Sequence, residues 1–320
     1  YQRFLAALPD IRALAHCPEE QLLKLWEGLG YYSRVRNMKR AAELLTADAD
    51  AKDRSEAELP SDECALLELP GIGSYTAAAI RSIAFRQAAV AVDGNVLRVM
   101  ARVRGDDRDI AQEATKRALR QELEQALSQA ALPAERYGLW NQALMDLGAT
   151  VCLPNGSPQC GRCPWASDCV AHGLQREQDY PVRSPKKPRK KQALTVLILR
   201  DHQGRVLVRR RPEEGLLSGL YELPNLPGHL EAAALREILA EYGLTSCSLR
   251  RLPDAKHIFT HIEWQMIGYE VLPEGASCMD GARMQGFYAD AQMLQEELAL
   301  ASAFRVYRQL AMASMASAGR

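Results

Sequence analysis

The stretch Leu69-Pro-Gly-Ile-Gly-Ser-Tyr-Thr-Ala-Ala-Ala-Ile80 separates a short helical pattern, Ser61–Leu67, from a second helix that begins inside it. Two glycines around an aliphatic residue, between two helices, predict a tight hairpin. The backbone N–H groups at the start of the second helix would then point outward and form a seat for a phosphate. An ordinary turn with a glycine C-cap explains Leu-Pro-Gly by itself equally well, so the prediction depends on the full run.

The hydrophobic pattern changes along the chain. From Tyr1 to about Ala149 apolar residues recur at three- and four-residue spacing, which predicts an all-α region. The run Tyr180–Lys191 is rich in proline and basic residues, so it predicts a linker. Beyond it the pattern predicts an α+β domain. Its expected elements are strands at Ala193–Arg200 and Arg205–Arg210, a helix at Leu230–Tyr242, and strands near His257–Phe259 and Trp264–Val271.

The composition limits the classes of protein to which the chain can belong. Its 320 residues predict two or three domains, and 40 basic against 40 acidic side chains exclude a global field that attracts a polyanion. No apolar run approaches the roughly 20 residues that cross a bilayer, and no signal peptide opens the chain. We therefore expect a soluble cytoplasmic protein without membrane contact. Eight cysteines without a secretory signal favour metal binding over disulfides.

Four of the cysteines lie within eighteen residues, and their spacing is typical of a metal site. Cys152, Cys160, Cys163 and Cys169 are separated by seven, two and five residues. Four thiolates in one short loop can hold a tetrahedral zinc ion or a four-iron cluster, and the spacing alone does not distinguish the two.

A carboxylate interrupts the apolar run Val90–Val99, shortly after the predicted hairpin. Asp93 stands where the N-cap of a helix beginning near Val96 would stand, and capping explains it fully from the local pattern. Capping does not exclude a second, catalytic role for the same carboxylate.

Taken together, the hairpin, the carboxylate and the cysteine loop resemble the helix-hairpin-helix glycosylases of base-excision DNA repair. The resemblance implies a multidomain protein with an all-α helix-hairpin-helix glycosylase core and an iron–sulfur cluster loop. It implies that Gly71, Gly73 and Ser74 bind DNA phosphate, and that Asp93 stabilises the cationic sugar of an extruded nucleotide. It also implies that the four cysteines hold a [4Fe-4S] cluster. The family's first gap is six residues, and the extra residue here falls in the loop Pro154–Pro158.

Two segments resemble the adenine glycosylase branch of this superfamily rather than the endonuclease III branch. Tyr75 stands where the endonuclease III branch carries the lysine that forms a Schiff base, so the resemblance implies a pocket-lining tyrosine and a monofunctional enzyme. The segment Gly28–Asn37 is similar to a motif of the adenine branch whose first tyrosine, here Tyr31, wedges beside an oxidised guanine. Arg34 of that segment is expected to contact the DNA backbone.

The C-terminal domain resembles the Nudix-like module of the same branch. The similar stretches are Gly215–Pro224 and His257–Ile262, and the resemblance places Phe259, Thr260 and His261 at 8-oxoguanine. A strand end with an exposed histidine is the alternative explanation of the second stretch.

Nucleotide hydrolysis by this domain is not expected. Nudix hydrolases use a run of glutamates on one helix to hold magnesium, and Arg236–Gly243 keeps only part of that run. Ala240 stands at one of the ligand positions, so the domain is better explained as a lesion-recognition module.

The general acid of adenine glycosylases is a glutamate in a helix that precedes every segment matched above, and the chain has no counterpart of that helix. We therefore expect a chain truncated at its N-terminus. Glu19, Glu20 and Glu27 lie on a helix whose other face is apolar, and solvated charge explains them better than catalysis. General acid help is worth about 10²–10⁴ in rate, so we expect weak or no adenine cleavage.

The sequence thus predicts a helical domain with the hairpin over 1–92, a cluster domain over 93–175, a linker over 176–192 and a Nudix-like domain over 193–320. The predicted function is removal of adenine mispaired with 8-oxoguanine or guanine in double-stranded DNA, by a cytoplasmic, nucleoid-associated monomer. Two alternatives remain: a fragment that binds the mispair without cleaving it, and an endonuclease III-like glycosylase, which Tyr75 disfavours.

Overall fold

The computed structural model describes residues 1–185, 188–274 and 281–318. Lys186 and Lys187 of the predicted linker lie outside the described residues. The helices before the linker are α1 (Gln2–Ala7), α2 (Ile11–His16), α3 (Glu19–Leu25), α4 (Tyr32–Ala51), α5 (Glu63–Leu67), α6 (Ser74–Ile83), α7 (Gly94–Arg104), α8 (Glu113–Gln129), α9 (Tyr137–Thr150) and α10 (Val170–Gly173). The elements after it are β1 (Lys190–Leu199), β2 (Val206–Arg210), β3 (Tyr221–Glu222), β4 (Asn225–Pro227), α11 (Ala232–Glu241), β5 (Cys247–Ile258), β6 (Ile262–Pro273), β7 (Gly286–Ala289) and α12 (Arg305–Ala318).

The chain folds into two compact units, and the division between them falls inside α4. The sheet unit comprises Tyr1–Lys39 and Lys187–Arg320, and the helical unit comprises Arg40–Lys186. The first 39 residues belong with the sheets because their apolar side chains share one core with them. Leu22, for example, is fully buried in the core that also contains Val196 of β1.

The predicted boundaries after residues 92, 175 and 192 do not coincide with this division. A hydrophobic period of three to four residues identifies a helix, but it does not identify the partner of the apolar face. The sequence therefore assigns α1–α3 to the helical domain, whereas the structure packs them in the sheet unit.

The central helix of the helical unit is α9, which packs against both α6 and α7. Two glycines of α9 permit this close approach. A Cβ atom at Gly138 would lie 2.6 Å from the carbonyl oxygen of Ser82, and one at Gly148 would lie 2.5 Å from Cβ of Asn95. The start of α7, which Asp93 precedes, is therefore held directly against α9.

The sheet unit contains two sheets. The first has the strand order β4-β1-β6-β5, with β1 and β6 parallel, and the second has the antiparallel order β3-β2-β7. Alternate residues of β1 belong to two different cores, as the two faces of a strand require. Leu197 packs in a core with Leu235 of α11, and Val196 packs in a core with Tyr307 of α12.

The predicted order of an all-α region followed by an α+β region is confirmed. The four predicted elements β1, β2, α11 and β6 lie within three residues of their expected bounds. β5 is longer than predicted and begins at Cys247. It lies at the edge of its sheet and carries exposed residues such as Arg250 and Arg251. Because these residues interrupt the apolar alternation, the sequence pattern does not reveal the full length of the strand. None of the described helices combines the length and the apolar character needed to cross a bilayer.

We expect Gly148→Ala to destabilise the helical unit, because the new methyl group would overlap Asn95. Overpacking of this kind costs roughly 1–3 kcal/mol. Gly173→Ala is the control, since a Cβ atom at Gly173 meets no atom within 4 Å. Urea unfolding followed by circular dichroism measures both variants, and a Gly148→Ala midpoint equal to that of the wild type would contradict the close approach.

Candidate functional site

The hairpin between α5 and α6 places two exposed glycines around a partly buried isoleucine. Gly71 has a φ of 80°, and Gly73 is the N-cap of α6. Ile72 between them packs against the core that contains Leu66. Since Ser74 is exposed and begins α6, the first-turn N–H groups, which lack acceptors within the helix, lie at the surface of the helical unit.

Asp93 caps α7 with one carboxylate oxygen and holds Asn95 with the other. Its Oδ1 accepts hydrogen bonds from the backbone N–H groups of Asn95 and Val96, each at 2.8 Å. Its Oδ2 accepts from Nδ2 of Asn95 at 2.9 Å. The carboxylate is thus fixed in direction, and it remains partly exposed.

The segment that leads into Asp93 is fixed by Asn141 of α9, whose side chain is fully buried. Oδ1 of Asn141 accepts from the backbone N–H of Ala91 at 3.0 Å. Its Nδ2 donates to the carbonyl oxygen of Ala89 and to the hydroxyl of Ser82, both at 2.9 Å. The apolar pattern only places Asn141 within the predicted all-α region, whereas the structure adds a positioning role toward the candidate catalytic carboxylate.

Tyr75 lies in the first turn of α6, directly after the hairpin, and its residue exposure is 39 %. Its phenol donates to Sδ of Met145 at 3.4 Å, which connects α6 to α9. The ring therefore has a defined place at the surface of the helical unit. A phenol cannot form a Schiff base, so this position offers no amine for lyase chemistry.

Two buried arginines of α7, one turn apart, reach the cysteine loop. Nε of Arg98 donates to the carbonyl oxygen of Cys152 at 2.8 Å, and its Nη2 donates to Oδ1 of Asn95 at 2.9 Å. Nη1 of Arg102 lies 3.3 Å from Sγ of Cys152. Burial lowers the pKa of the Arg98 guanidinium. The chain Asp93–Asn95–Arg98 therefore connects the candidate carboxylate with the loop through hydrogen bonds.

The four predicted cysteine ligands line one cavity. The structure therefore brings four thiols to one cavity, and thiols are the donor type that structural metal sites use. The four cysteines that line this cavity are Cys152, Cys160, Cys163 and Cys169.

Burial raises the pKa of the Cys160 thiol to about 11, and Glu177 contributes in the same direction. Burial also raises the pKa of Cys169. Such thiols stay protonated at neutral pH unless a bound cation stabilises the thiolate form. His172 and Glu177 complete the polar wall: Nδ1 of His172 lies 2.7 Å from Oε1 of Glu177, and that oxygen lies 3.6 Å from Sγ of Cys160.

A second cavity lies within the sheet unit, lined mainly by the segments Leu29–Ser33, Gly215–Ser218 and His257–Ile262. Two of its lining residues have a left-handed backbone, Tyr31 with a φ of 47° and Leu217 with a φ of 59°. Strain of this kind costs on the order of 1–3 kcal/mol and is concentrated at binding sites. Tyr31 is 73 % exposed, so burial of the ring does not offset the strain.

The hairpin between β5 and β6 carries Thr260 and His261 at its tip, and both are exposed. The ring of Phe259 packs edge-on between His257 and Trp264, with centroid distances of 4.5 and 4.9 Å. Phe259 therefore positions the tip, and Thr260 and His261 offer their polar atoms to a ligand. Burial lowers the pKa of His257, so its imidazole is a neutral packing partner at neutral pH.

Two arginines organise the wall around Tyr31. The guanidinium of Arg34 lies 5.9 Å from the centroid of the Tyr31 ring, a cation–π arrangement. Arg36 donates to the carbonyl oxygen of Ser218 and pairs with Glu19 at 2.7 Å. Arg36 thus ties the tyrosine segment to the opposite wall of the cavity.

The carboxylates that the sequence analysis considered as substitute acids are all engaged within the sheet unit. Glu19 pairs with Arg36, and Glu20 accepts a hydrogen bond from the phenol of Tyr221 at 3.1 Å. Glu27 pairs with Lys24 at 2.8 Å and with Arg308 at 2.6 Å. The interpretation of Glu27 as solvated charge is wrong, because its side chain is only 17 % exposed.

The structure adds functional candidates that the sequence analysis missed. Arg98 and Arg102 could have been recognised, because they are charged residues four apart in the otherwise apolar run Val96–Val103. His172 and Leu217 gave no comparable signal, since their importance depends on a partner distant in sequence and on a backbone angle.

Comparison with protein families divides the chain in two. Residues 1–125 match the family described as HhH-GPD superfamily base excision DNA repair protein, and residues 195–309 match the NUDIX domain. The two matches confirm the predicted fold class, a helix-hairpin-helix glycosylase core followed by a Nudix-like domain.

The similar curated proteins include three adenine DNA glycosylases from eukaryotes. That of Arabidopsis thaliana is 33 % identical over 272 residues, which cover 76 % of the chain and 41 % of the relative. That of Rattus norvegicus is 29 % identical over 361 residues, covering 97 % and 68 %. That of Homo sapiens is 30 % identical over 325 residues, covering 86 % and 58 %. The chain thus spans between 41 % and 68 % of the length of these relatives.

We expect Asn141→Leu to destabilise the helical unit by on the order of 3 kcal/mol, because it leaves the buried N–H of Ala91 and the carbonyl of Ala89 without partners. Gln142→Leu is the matched control, since Gln142 is an exposed amide on the same helix. Its effect should stay within about 0.5 kcal/mol. Denaturant unfolding compares the two, and equal losses would refute the positioning role of Asn141.

Proposed function

Because the chain belongs to the adenine DNA glycosylase family of helix-hairpin-helix base-excision repair proteins, we propose that it hydrolyses the N-glycosidic bond of adenine. The substrate is double-stranded DNA in which adenine is paired with 8-oxoguanine or guanine, and the protein acts as a monomer on the DNA of the cytoplasm. The observation that carries the proposal is Tyr31, an exposed ring on a strained backbone at the wall of a cavity that Thr260 and His261 also line.

In the proposed function, DNA is recognised by the hairpin before α6 and by the cavity that Tyr31, Thr260 and His261 line. The N–H groups after Gly71 and Gly73 bind the phosphate backbone without reading sequence. Tyr31 inserts beside the oxidised guanine and lowers the cost of extruding the opposite adenine. Thr260 and His261 supply hydrogen-bonding groups to the lesion, at a tip that Phe259 holds in place.

In the proposed reaction Asp93 acts through its charge. The bond between sugar and adenine breaks, the bonding electrons leave with the base, and the sugar becomes cationic. A carboxylate fixed by hydrogen bonds from Asn95 and Val96 stabilises that cation without reorganisation. Water then adds to the sugar cation and loses a proton, the departing adenine takes up a proton, and an abasic site remains. Tyr75 lines the pocket, and because it has no amine the DNA backbone stays intact.

The cysteine cavity fits a [4Fe-4S] cluster, which the four cysteines would hold. The fit rests on the chemistry of the four thiols that line this cavity and on the hydrogen bond that Arg102 offers to Sγ of Cys152. Hydrogen bonds of this kind orient metal ligands. When bound, the cluster would supply a net negative charge, and Arg102, which contacts Sγ of Cys152, would hold one of its ligands.

The proposal is tested by binding and by single-turnover adenine release, with an 8-oxoguanine:adenine duplex and a fully paired control duplex. Selective binding with release supports the glycosylase. Selective binding without release supports the alternative of a mispair-binding chain. Equal affinity for both duplexes contradicts either function. Borohydride trapping on an abasic site should give no adduct, and efficient trapping would support the endonuclease III-like alternative.

The mutational arm of this test uses Tyr31→Asn. Asparagine tolerates a positive φ, so the fold should be as stable as the wild type or more so. Loss of a stacking ring should reduce the preference for the mispair by roughly tenfold, since stacking on a base is worth about 1–3 kcal/mol. Tyr1→Asn is the control, because Tyr1 is also exposed, at 94 %. An unchanged preference in Tyr31→Asn would remove Tyr31 from the recognition site.

We expect the purified protein to contain about four iron and four sulfide ions per chain. Cys163→Ser should lower both contents, because Cys163 lines the cavity. Cys64→Ser should leave both unchanged, since Cys64 is exposed and is not among the residues that line the cavity. Elemental analysis and sulfide assay measure the contents, and a single zinc ion in place of iron would contradict the assignment.

A further inference from the structure

A polar groove in the helical unit lies beside the cysteine loop and is lined by three arginines. They are Arg98, Arg102 and Arg183, and the remaining wall comes from the loop Pro154–Gly156 and from the segment that contains Tyr180. No carboxylate is among the described residues that line this arginine groove. Three guanidinium groups therefore share one groove without an acidic side chain in its wall.

Two of these guanidinium groups are buried, and each has a nitrogen whose N–H groups make only a long hydrogen bond or none to the described residues. Arg98 is 8 % exposed and Arg102 is 4 % exposed. Nη1 of Arg98 makes only a long contact, 3.5 Å, with the carbonyl oxygen of Gly94. Nη2 of Arg102 has no acceptor among the described residues, since its bonds to Glu177, Tyr180 and the cysteine loop use Nε and Nη1.

Arg183 is presented to the groove by a backbone that is fixed on both sides. The carbonyl oxygen of Val182 accepts from the N–H of Ile110 at 3.1 Å. Ser184 bonds to Asp109 through its backbone N–H at 3.2 Å and also through its hydroxyl. The guanidinium of Arg183 has no ion pair or hydrogen bond within the described parts of the chain, and it lies close enough to Arg98 to contribute to the lowering of that group's pKa.

We propose that the arginine groove binds a phosphodiester group of the DNA backbone, with Arg183 as its main contact. An anion offsets the mutual repulsion of three like charges, and phosphate oxygens accept several N–H groups at once. The inference rests on the proposed function, since it assumes a DNA partner. It assigns to Arg183 a defined contact, with the spare donors of Arg98 and Arg102 facing the same phosphate.

The test compares Arg183→Gln with Arg176→Gln, a control in the same segment whose guanidinium already pairs with Asp179 at 2.6 Å. Fluorescence anisotropy measures affinity for the mispair duplex and for the fully paired duplex between about 50 and 200 mM salt. Arg183→Gln should weaken binding to both duplexes by roughly tenfold and lower the salt slope by about 0.9, the value for one phosphate. Arg176→Gln should match the wild type, and the mispair preference should be unchanged in both variants.

Equal affinity and salt slope for Arg183→Gln and the wild type would overturn the inference while leaving the proposed function intact. Titration of inorganic phosphate, followed by phosphorus NMR, separates the two sources of the anion. Phosphate binding that depends on Arg183, together with unchanged duplex affinity, would mean a site for free phosphate and would also overturn the inference. Absence of duplex binding by the wild type would overturn the proposed function and this inference together.

Discussion

The guanidinium groups of Arg98 and Arg102 join α7 to the cysteine loop, and the candidate sites of the helical unit depend on this connection. A buried charge is costly unless it is hydrogen-bonded, and here carbonyl oxygens and a thiol sulfur provide most of the bonds. Carbonyl oxygens satisfy the donors without cancelling the charge. The region therefore keeps a positive potential, which favours an anionic group in the cysteine cavity. Asp93, at the other end of the same hydrogen-bonded chain, is fixed by the backbone N–H groups of Asn95 and Val96 and by the side chain of Asn95.

In the sheet unit, the cavity beside Tyr31 is fixed by backbone conformation rather than by buried arginines. The cavity depends on backbone strain at Tyr31 and Leu217, which persists only where the surrounding structure imposes it. The bond from Arg36 to the carbonyl oxygen of Ser218 joins the two strained segments. Gly219 permits this contact, because a Cβ atom there would lie 2.9 Å from Nη2 of Arg36. The strained backbone at Tyr31 and the bond from Arg36 to Ser218 together keep the Tyr31 ring exposed and prevent it from packing onto the core.

The parts of the fold that depend on local pattern could be predicted, and the parts that depend on tertiary partners could not. The hairpin, the cap at Asp93 and the strands β1 and β6 follow from glycine placement, capping chemistry and apolar period. The packing of residues 1–39 in the sheet unit did not follow, because an amphipathic helix does not specify its partner. The roles of Asn141 and Arg102 depend on hydrogen-bonding partners about fifty residues away, which no local pattern contains.

Charge balance shows why local arrangement matters more than composition in this chain. Basic and acidic residues are equal in number, so DNA binding must come from cations whose charge the fold leaves uncancelled. Many exposed arginines do not qualify: Arg108, for instance, pairs with both Asp106 and Glu122. Arg98 and Arg102 qualify because the described residues that line their groove include no carboxylate, and because burial reduces the screening of their charge by salt. A neutral protein can thus hold a strong anion site where its carbonyl oxygens, rather than its carboxylates, satisfy the arginines.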